Sequence, residues 1–135
     1  MADAKRRHTR VREALRHVET TLPDEAWAKK IAKTVLEERL ASCVQWWQIR
    51  SQYRWNGDLE LAGEFLVMFK TTLGRVEELQ RRLHELHPYE LPYVATYLIS
   101  HVSPRYAQWA ADEVAIGGPR PNISKTAATV RTLRR

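Results

Sequence analysis

The sequence predicts an α+β domain with the ferredoxin-like order β-α-β-β-α-β, followed by a short C-terminal helix. Three observations predict this fold. Two segments repeat apolar residues with the period of a helix, a long β-rich segment ends at an Asn-Gly turn, and two prolines separate the second helix from a last strand. We therefore expect a four-stranded antiparallel sheet with two helices packed on one of its faces.

The composition is typical of a globular protein and argues against several other classes. The 135 residues are 44% hydrophobic and 28% charged, and the longest apolar run, 65–69, is far too short to cross a membrane. No apolar stretch follows the basic N-terminus, so a secretory signal is not expected. Cys43 is the only cysteine, which excludes an internal disulfide and predicts a reducing compartment.

The net charge of +6 is unevenly distributed. Residues 1–17 carry a net charge of +4 and residues 116–135 carry +5, whereas residues 18–115 carry −3. Proteins of this fold that bind RNA use a central strand with glycine between aromatic residues, and the apolar strand predicted at 64–71 has no glycine. Because the centre of the chain is also mildly acidic, nucleic acid is not an expected partner.

The charge distribution suggests a domain organisation of three parts. We expect a basic N-terminal arm at 1–13, a folded domain at 14–116 and a basic C-terminal tail at 117–135. Basic ends of this kind are commonly solvated, and they can also attract acidic partners.

The first strand and the first helix are predicted within the first third of the chain. Residues 15–21 become β-branched toward their end and indicate a strand, after which Pro23 breaks the chain. Asp24 suits the N-cap or the first turn of a helix over 24–41. The apolar positions of this helix fall on one side: Ala28, Ile31, Ala32, Val35 and Leu36.

A long hairpin is predicted next. Residues 43–55 are rich in Trp, Tyr, Val and Ile, and Asn56-Gly57 is the strongest sequence signal for a type I′ turn, so 58–71 forms the return strand. The alternation changes phase after Trp46-Trp47, which predicts a bulge near Gln48. One face of the second half of this strand carries Ile49, Ser51, Tyr53 and Trp55.

The length of this hairpin favours self-association. A strand of this length extends about 40 Å, whereas a domain of this size is roughly 30 Å across. The hairpin must bend or protrude, and its unpaired edges would promote aggregation unless they are covered. A second copy of the same chain is the simplest cover, so a homo-oligomer is expected.

Prolines determine the elements that follow. The helix predicted from Gly74 to Leu86 must stop at His87, because Pro88 disfavours helical geometry in the residue before it. Its apolar stripe consists of Val76, Leu79, Leu83 and Leu86. Residues 93–100 read as a strand. Pro104 can begin a third helix, whose expected inward-facing residues are Tyr106, Trp109 and Ala110.

Two groups of residues could bind a ligand. His84 and His87 lie three positions apart on one helix face, where two imidazoles can share a copper or zinc ion if a third ligand comes from elsewhere. They could equally be structural residues at a helix end. A second, polar and aromatic group could bind a small anion or form a salt bridge at an interface; it consists of Arg39, Tyr53, Trp55, Lys70 and Glu90.

The sequence does not indicate an enzyme. Cys43 begins a strand, where a cysteine usually behaves as a small buried hydrophobe. No base or oxyanion site can be assigned to it.

Four segments stand in a characteristic order and spacing: LPDEAWAKKIAKTVLEERLASCV, IRSQYRWNG, FKTT and LHELHPYELPY. Together they resemble one known family, the CutA divalent-cation tolerance proteins. The resemblance covers roughly residues 15–113. It implies a ferredoxin-like fold in a PII-like homotrimer, a cytoplasmic location, a link to tolerance of copper and other divalent cations, and no catalytic activity.

The resemblance also carries expectations for individual residues. In copper-binding members the first strand ends in a cysteine and a second histidine precedes the HPY motif; here these positions are Thr20 and Leu86, so only His87 matches, with His84 as a partial substitute. Many members have a Pro-Gly turn where this chain has Trp46-Trp47-Gln48. A cleft between subunits is implied, and we assign to it Arg39, Tyr53, Trp55, Lys70, Tyr89 and Glu90.

The resemblance thus implies a trimeric protein of divalent-cation tolerance, and we expect it to bind metal or a small ligand in clefts between subunits. The alternative is a structural or signalling trimer that binds no metal and presents its tails or clefts to partner proteins.

Overall fold

The computed structural model describes residues 14–117 and has the predicted order of elements, so the expected arm at 1–13 and nearly all of the expected tail lie outside the described residues. The elements are β1 (Leu15–Leu22), α1 (Glu25–Glu37), β2 (Cys43–Trp55), β3 (Asp58–Thr72), α2 (Leu73–Leu86), β4 (Val94–Leu98) and α3 (Pro104–Val114).

The four strands form one antiparallel sheet in the order β2-β3-β1-β4. In this order β1 and β3 are central, and β2 and β4 are the edges. The ferredoxin-like prediction is confirmed. No helix within residues 14–117 is both long and apolar enough to span a membrane.

The hydrophobic core lies between one face of the sheet and the helices α1 and α2. Val18 of β1 and Phe69 of β3 are opposite each other in the register and are fully buried. They belong to one cluster with Ile31 of α1 and with Leu79 and Leu83 of α2. Full burial of such side chains stabilises the fold by about 1.5–3 kcal/mol each.

Helix α1 begins as predicted but ends earlier. The Asp24 side chain accepts a hydrogen bond from the Trp27 amide (2.9 Å), as an N-cap does. The helix ends at Glu37 because Arg39 takes a left-handed conformation with φ of 59°. The amides of Arg39 and Leu40 donate to the carbonyls of Leu36 (3.1 Å) and Val35 (3.0 Å). This is a Schellman motif in which arginine stands where glycine is usual, so no residue of the sequence marks the end of the helix.

The hairpin of β2 and β3 is continuous. Each of the 13 residues of β2 pairs with one residue of β3, so the bulge predicted near Gln48 is wrong. Asn56 and Gly57 both have positive φ, 49° and 87°, as a type I′ turn requires.

The phase change in the sequence has a different physical cause. Near the helices, Val44 and Trp46 of β2 are half-buried against the core under α1 and α2, while Trp47 on the other face is 44% exposed. Farther along the strand, the half-buried residues Ile49 and Ser51 lie on the other face. The strand itself is regular, and the face that other segments cover changes.

Helix α2 ends at Leu86 as predicted, and His87 is the extended C-cap before Pro88. Strand β4 is shorter than expected and covers only Val94–Leu98.

Helix α3 packs on the sheet face opposite α1 and α2. Its Tyr106 ring lies 5.4 Å from Lys70 Nζ, and Lys70 follows Phe69, whose side chain faces the other helices. Ala110 and Val114 are the buried residues of α3. The expected inward position of Trp109 is wrong. Trp109 is 40% exposed because it lies off the line through Ala110 and Val114, and its ring packs at a tilt against Tyr106.

We call the part of this face that α3 leaves uncovered the open face. By strand alternation it carries Glu19 and Thr21 of β1, Glu60, Ala62 and Glu64 of β3, Tyr97 of β4, and Trp47, Ile49, Ser51, Tyr53 and Trp55 of β2.

Candidate ligand-binding site

A pocket of about 490 Å³ lies on the open face, between the outer half of the hairpin and the segment that joins α2 to β4. We call it the Tyr89 pocket. Aromatic rings and carboxylates dominate its lining, which consists of Thr21, Tyr53, Trp55, Glu60, Glu64, Pro88, Tyr89, Glu90, Leu91 and Tyr93.

The sheet register places part of this lining. Tyr53 and Glu60 are opposite each other on β2 and β3, and Trp55 lies two residues beyond Tyr53 on the same face. The prolines at 88 and 92 keep the joining segment out of helical geometry, and Tyr89 extends from it across the open face.

Glu64 organises the floor of the pocket. Its side chain accepts hydrogen bonds from Ser51 Oγ (2.5 Å) and from Tyr89 Oη (2.9 Å), and the residue is only 8% exposed. Burial of a carboxylate is costly unless donors satisfy it, and two hydroxyls do so here. Burial and the neighbouring Glu64 carboxylate raise the pKa of Tyr89, so Tyr89 remains a neutral donor at physiological pH.

His87 ties this segment to β1. Its Nδ1 accepts a hydrogen bond from the Tyr89 amide (3.1 Å), and its Nε2 lies 3.0 Å from the Thr21 carbonyl oxygen and 3.0 Å from Thr20 Oγ1. Because the Thr21 carbonyl can only accept and Thr20 Oγ1 donates to the Tyr93 carbonyl (2.6 Å), the proton is assigned to Nε2. Burial lowers the pKa of His87, which favours this neutral form.

The predicted metal ligands are His84 and His87, and the hydrogen bonds of His87 already use its ring lone pair. The lone pair of the neutral His87 ring is at Nδ1, and the Tyr89 amide occupies it. His84 is exposed on α2. Within residues 14–117, no three His, Cys, Asp or Glu side chains are grouped so that they could hold a metal ion. A metal site at His84 and His87 stays a prediction.

The two positions that differ from copper-binding members are part of the packing. Thr20 is fully buried and bridges His87 and the Tyr93 carbonyl. Leu86 packs against the hydrophobic core.

A second buried carboxylate lies next to the pocket on the open face. Glu19 is 9% exposed, and its Oε2 accepts hydrogen bonds from Tyr93 Oη and Tyr97 Oη, both at 2.9 Å. The Tyr97 hydroxyl, burial and the hydrogen bond to Glu19 raise the pKa of Tyr93. Glu19, Glu64 and Ser51 were not among the site residues predicted from the sequence. For the two glutamates, the available signal was a charged residue at a strand position.

Lys70 lies at the other end of the sheet. It is six residues from Glu64 along β3, which is roughly 20 Å, and its Nζ lies against Tyr106. Burial and the nearby Cys43 raise the pKa of Tyr106 to about 12.

Arg39 also lies away from the pocket, beside α3. Its Nη2 donates to the Asp112 carbonyl (3.1 Å), while Nε and Nη1 are buried without a partner among the described residues. Four of the six predicted cleft residues therefore line the pocket within one chain: Tyr53, Trp55, Tyr89 and Glu90. The other two, Arg39 and Lys70, lie elsewhere in the same chain.

Comparison with known proteins gives one consistent family. Residues 16–113 match the family described as CutA1 divalent ion tolerance protein. The divalent-cation tolerance protein CutA of Thermotoga maritima is 37% identical over 97 residues, which are 72% of this chain and 96% of that protein.

Solved structures agree with this result. CutA from Synechococcus elongatus superposes with a TM-score of 0.75 at 33% identity, over 76% of this chain and 92% of that one. A structure from Archaeoglobus fulgidus, described as a periplasmic divalent cation tolerance protein CutA, has a TM-score of 0.73 at 29% identity, over 75% of this chain and 99% of that one.

Proposed function

The chain belongs to the CutA1 divalent ion tolerance family, and we propose that it serves this tolerance as a homotrimer that binds a ligand without catalysis. The Tyr89 pocket is the observation that carries the proposal. Its buried carboxylate is already satisfied by Ser51 and Tyr89, so the walls are in place before a ligand arrives.

The open face supports self-association. Tyr53 and Trp55 lie two residues apart on this face and are exposed, as are Trp47 and Tyr97. Exposed apolar side chains gathered on one face are typical of an interface. Covering this face with neighbouring copies would place the Tyr89 pocket at or near a subunit boundary. In such an assembly, the Lys70 and Arg39 of one subunit could approach the pocket of another, which would reunite the predicted cleft.

Divalent-cation binding is the part of the proposal that needs its own test. The family description supports it, and His87 with His84 is the candidate site, with copper as the candidate ion. Binding at His87 would require Nδ1 to release the Tyr89 amide, so it would disturb the turn that forms one pocket wall.

Calorimetric titration of the metal-free full chain with Cu(II) and Zn(II) tests this part. Micromolar or tighter binding that is lost in His87→Ala or His84→Ala would establish a metal site in this segment. Absent binding, or binding unchanged in both variants, would assign the histidines a structural role. The function would then be a ligand-binding or signalling trimer without a metal of its own.

We place the protein in the cytoplasm, since its only cysteine cannot form an internal disulfide. Cell fractionation of the tagged full chain would contradict this location if the protein co-purified with a periplasmic marker, as the description of the Archaeoglobus protein suggests for that relative.

We assign no catalytic role to Cys43. The residue is half-buried at the start of β2 and lies near Tyr106, beneath α3. This is the environment of a structural cysteine.

A further inference from the structure

The two ends of the chain carry its positive net charge. Residues 1–17 have a net charge of +4 and residues 116–135 of +5, whereas residues 18–115 have −3. Arginine supplies five of the six Lys and Arg side chains in the first segment and four of the five in the second. A guanidinium group can bind two phosphate oxygens at once. We propose that these two ends together bind nucleic acid through its phosphate backbone.

Both ends leave the described domain near the first turn of α2. On the N-terminal side, the Ala14 carbonyl accepts a hydrogen bond from the Leu73 amide (2.8 Å). On the C-terminal side, the Asp112 carbonyl in the last turn of α3 accepts from Arg39 Nη2 (3.1 Å), and the Arg39 carbonyl accepts from Arg75 Nη2 (3.3 Å) in that same turn of α2. The two basic segments therefore start from one end of the sheet, and their charges act on the same partner.

The described surface beside these exits adds to the positive field. Arg16 lies at the start of β1, and Arg105 is exposed in the first turn of α3. Within residues 14–117, neither of them forms a salt bridge with a carboxylate. A cavity of about 320 Å³ between Ala14 and α3 has no Asp or Glu among its described lining residues. A phosphate group that approaches this cavity meets no opposing carboxylate in its lining.

The inference rests on the proposed function in one respect, because the homotrimer would present three copies of each end to one partner. Linked binding sites raise one another's effective concentration, so contacts that are weak singly add to a measurable affinity. The nucleic-acid surface is therefore strongest in the assembled protein.

The composition of the end segments indicates the kind of nucleic-acid binding to expect. Residues 1–17 and 116–135 contain no Phe, Tyr or Trp on which a base could stack. Contacts to phosphates fix the position of a protein but carry no sequence information. We therefore expect binding that does not depend on base sequence and that weakens steeply with salt.

An acidic membrane is the competing partner for a basic segment. Stable membrane anchoring needs an apolar face or a lipid chain in addition to basic residues. Residues 1–13 offer only Met1 and Val11 as large apolar side chains. This composition favours nucleic acid over a membrane.

Fluorescence anisotropy of a labelled DNA duplex, titrated with the full-length protein at neutral pH, tests the inference. With a duplex of about 24 base pairs, we expect saturable binding at about 50 mM salt and at least about a hundred-fold loss of affinity at about 150 mM, which corresponds to about five phosphate contacts. A second duplex of the same length and unrelated sequence should bind equally well.

Matched substitutions in the full-length chain locate the binding. Neutralising four arginines of residues 1–13 should weaken binding at least about thirty-fold and reduce the slope of log affinity against log salt by about three to four. Neutralising four exposed cations of α1 and α2 should change the affinity by less than about three-fold. The first set is Arg6→Gln, Arg7→Gln, Arg10→Gln and Arg12→Gln, and the control set is Lys29→Gln, Lys30→Gln, Lys33→Gln and Arg81→Gln.

A failure of this inference can be told from a failure of the proposed function, because light scattering on the same samples reports the assembly separately. Three results obtained with a trimer would overturn the nucleic-acid inference alone: binding to neither duplex, equal losses in the two variant sets, or tighter binding to vesicles of phosphatidylserine and phosphatidylcholine than to DNA. DNA binding that only the arginine set weakens, by a protein with the mass of one chain, would support the basic surface and contradict the trimer.

Discussion

The two faces of the sheet differ in what fills them. The face under α1 and α2 is closed mainly by apolar side chains such as Val18 and Phe69, and its buried polar side chains, Thr20 and Thr71, are uncharged hydroxyls that donate to backbone carbonyls. The open face instead holds two buried glutamates, Glu19 and Glu64, each satisfied by hydroxyl groups of neighbouring residues. The first arrangement is the one that folding requires. The second arrangement buries charged groups, which costs free energy even when they are hydrogen-bonded. Such a cost is expected where a face serves binding.

Phe69→Ala is expected to have the largest effect. Phe69 is fully buried in the core, so the change should lower the free energy of unfolding by about 3–5 kcal/mol. Chemical denaturation at one fixed protein concentration measures this, since assembly makes stability depend on concentration. A loss below about 1 kcal/mol would mean that the helix-covered face is not the dominant core.

Tyr89→Phe tests the open face and should have an intermediate effect. It removes one of the two donors to the buried Glu64 carboxylate, which is expected to cost about 1.5–3 kcal/mol of stability. Tyr53→Phe is the matched control, because its ring lines the same pocket and its hydroxyl makes no hydrogen bond within residues 14–117. Equal losses in the two variants, measured by denaturation, would contradict the role of the Glu64 network.

The left-handed backbone of Arg39 at the end of α1 should have a smaller effect on stability. Arg39→Ala and Arg39→Gly both remove the guanidinium, but only glycine accepts a φ of 59° without strain. The glycine variant should therefore be more stable than the alanine variant by about 1 kcal/mol. Thermal unfolding of the two proteins measures the difference, and an alanine variant at least as stable as the glycine variant would refute the Schellman geometry.

The dependence of stability on pH should be the smallest effect. Burial lowers the pKa of His87 below the 6.5 of the unfolded chain, so the neutral ring stabilises the fold above that value, and this contribution is lost as pH falls through the native pKa. The pKa of His17 is also lowered, first by burial and then by the positive charge of Lys70, while the carboxylate of Glu19 opposes the shift.

Denaturation of the wild type and His87→Gln on both sides of this pH range measures the His87 contribution. The variant should lose less stability than the wild type on acidification. A larger loss in the variant would contradict the assignment of a neutral His87.

The sequence was most informative where one residue determines the backbone. Asn56-Gly57 specified the turn and thereby the β2–β3 register, and Pro88 specified the end of α2 at Leu86. It was less informative where a tertiary contact decides. Arg39 ends α1 in a conformation that only the Schellman bonds reveal. The apparent bulge at Gln48 was a change in the segment that covers the strand.

The candidate site was predictable in part for the same reason. Aromatic residues at alternate positions of β2 placed Tyr53 and Trp55 together, and the motif around His87 placed Tyr89 and Glu90 near them. The partners of Glu64 and Glu19 depend on contacts between distant segments, which no local pattern encodes. The distance between Lys70 and the pocket follows only from the register.

The mass of the full-length protein in solution, measured by light scattering across a dilution series, shows directly whether an assembly covers the open face. We expect three times the 15.8 kDa chain mass, stable on dilution. A mass of one chain at all concentrations would leave the aromatic open face uncovered and would contradict the proposed trimer.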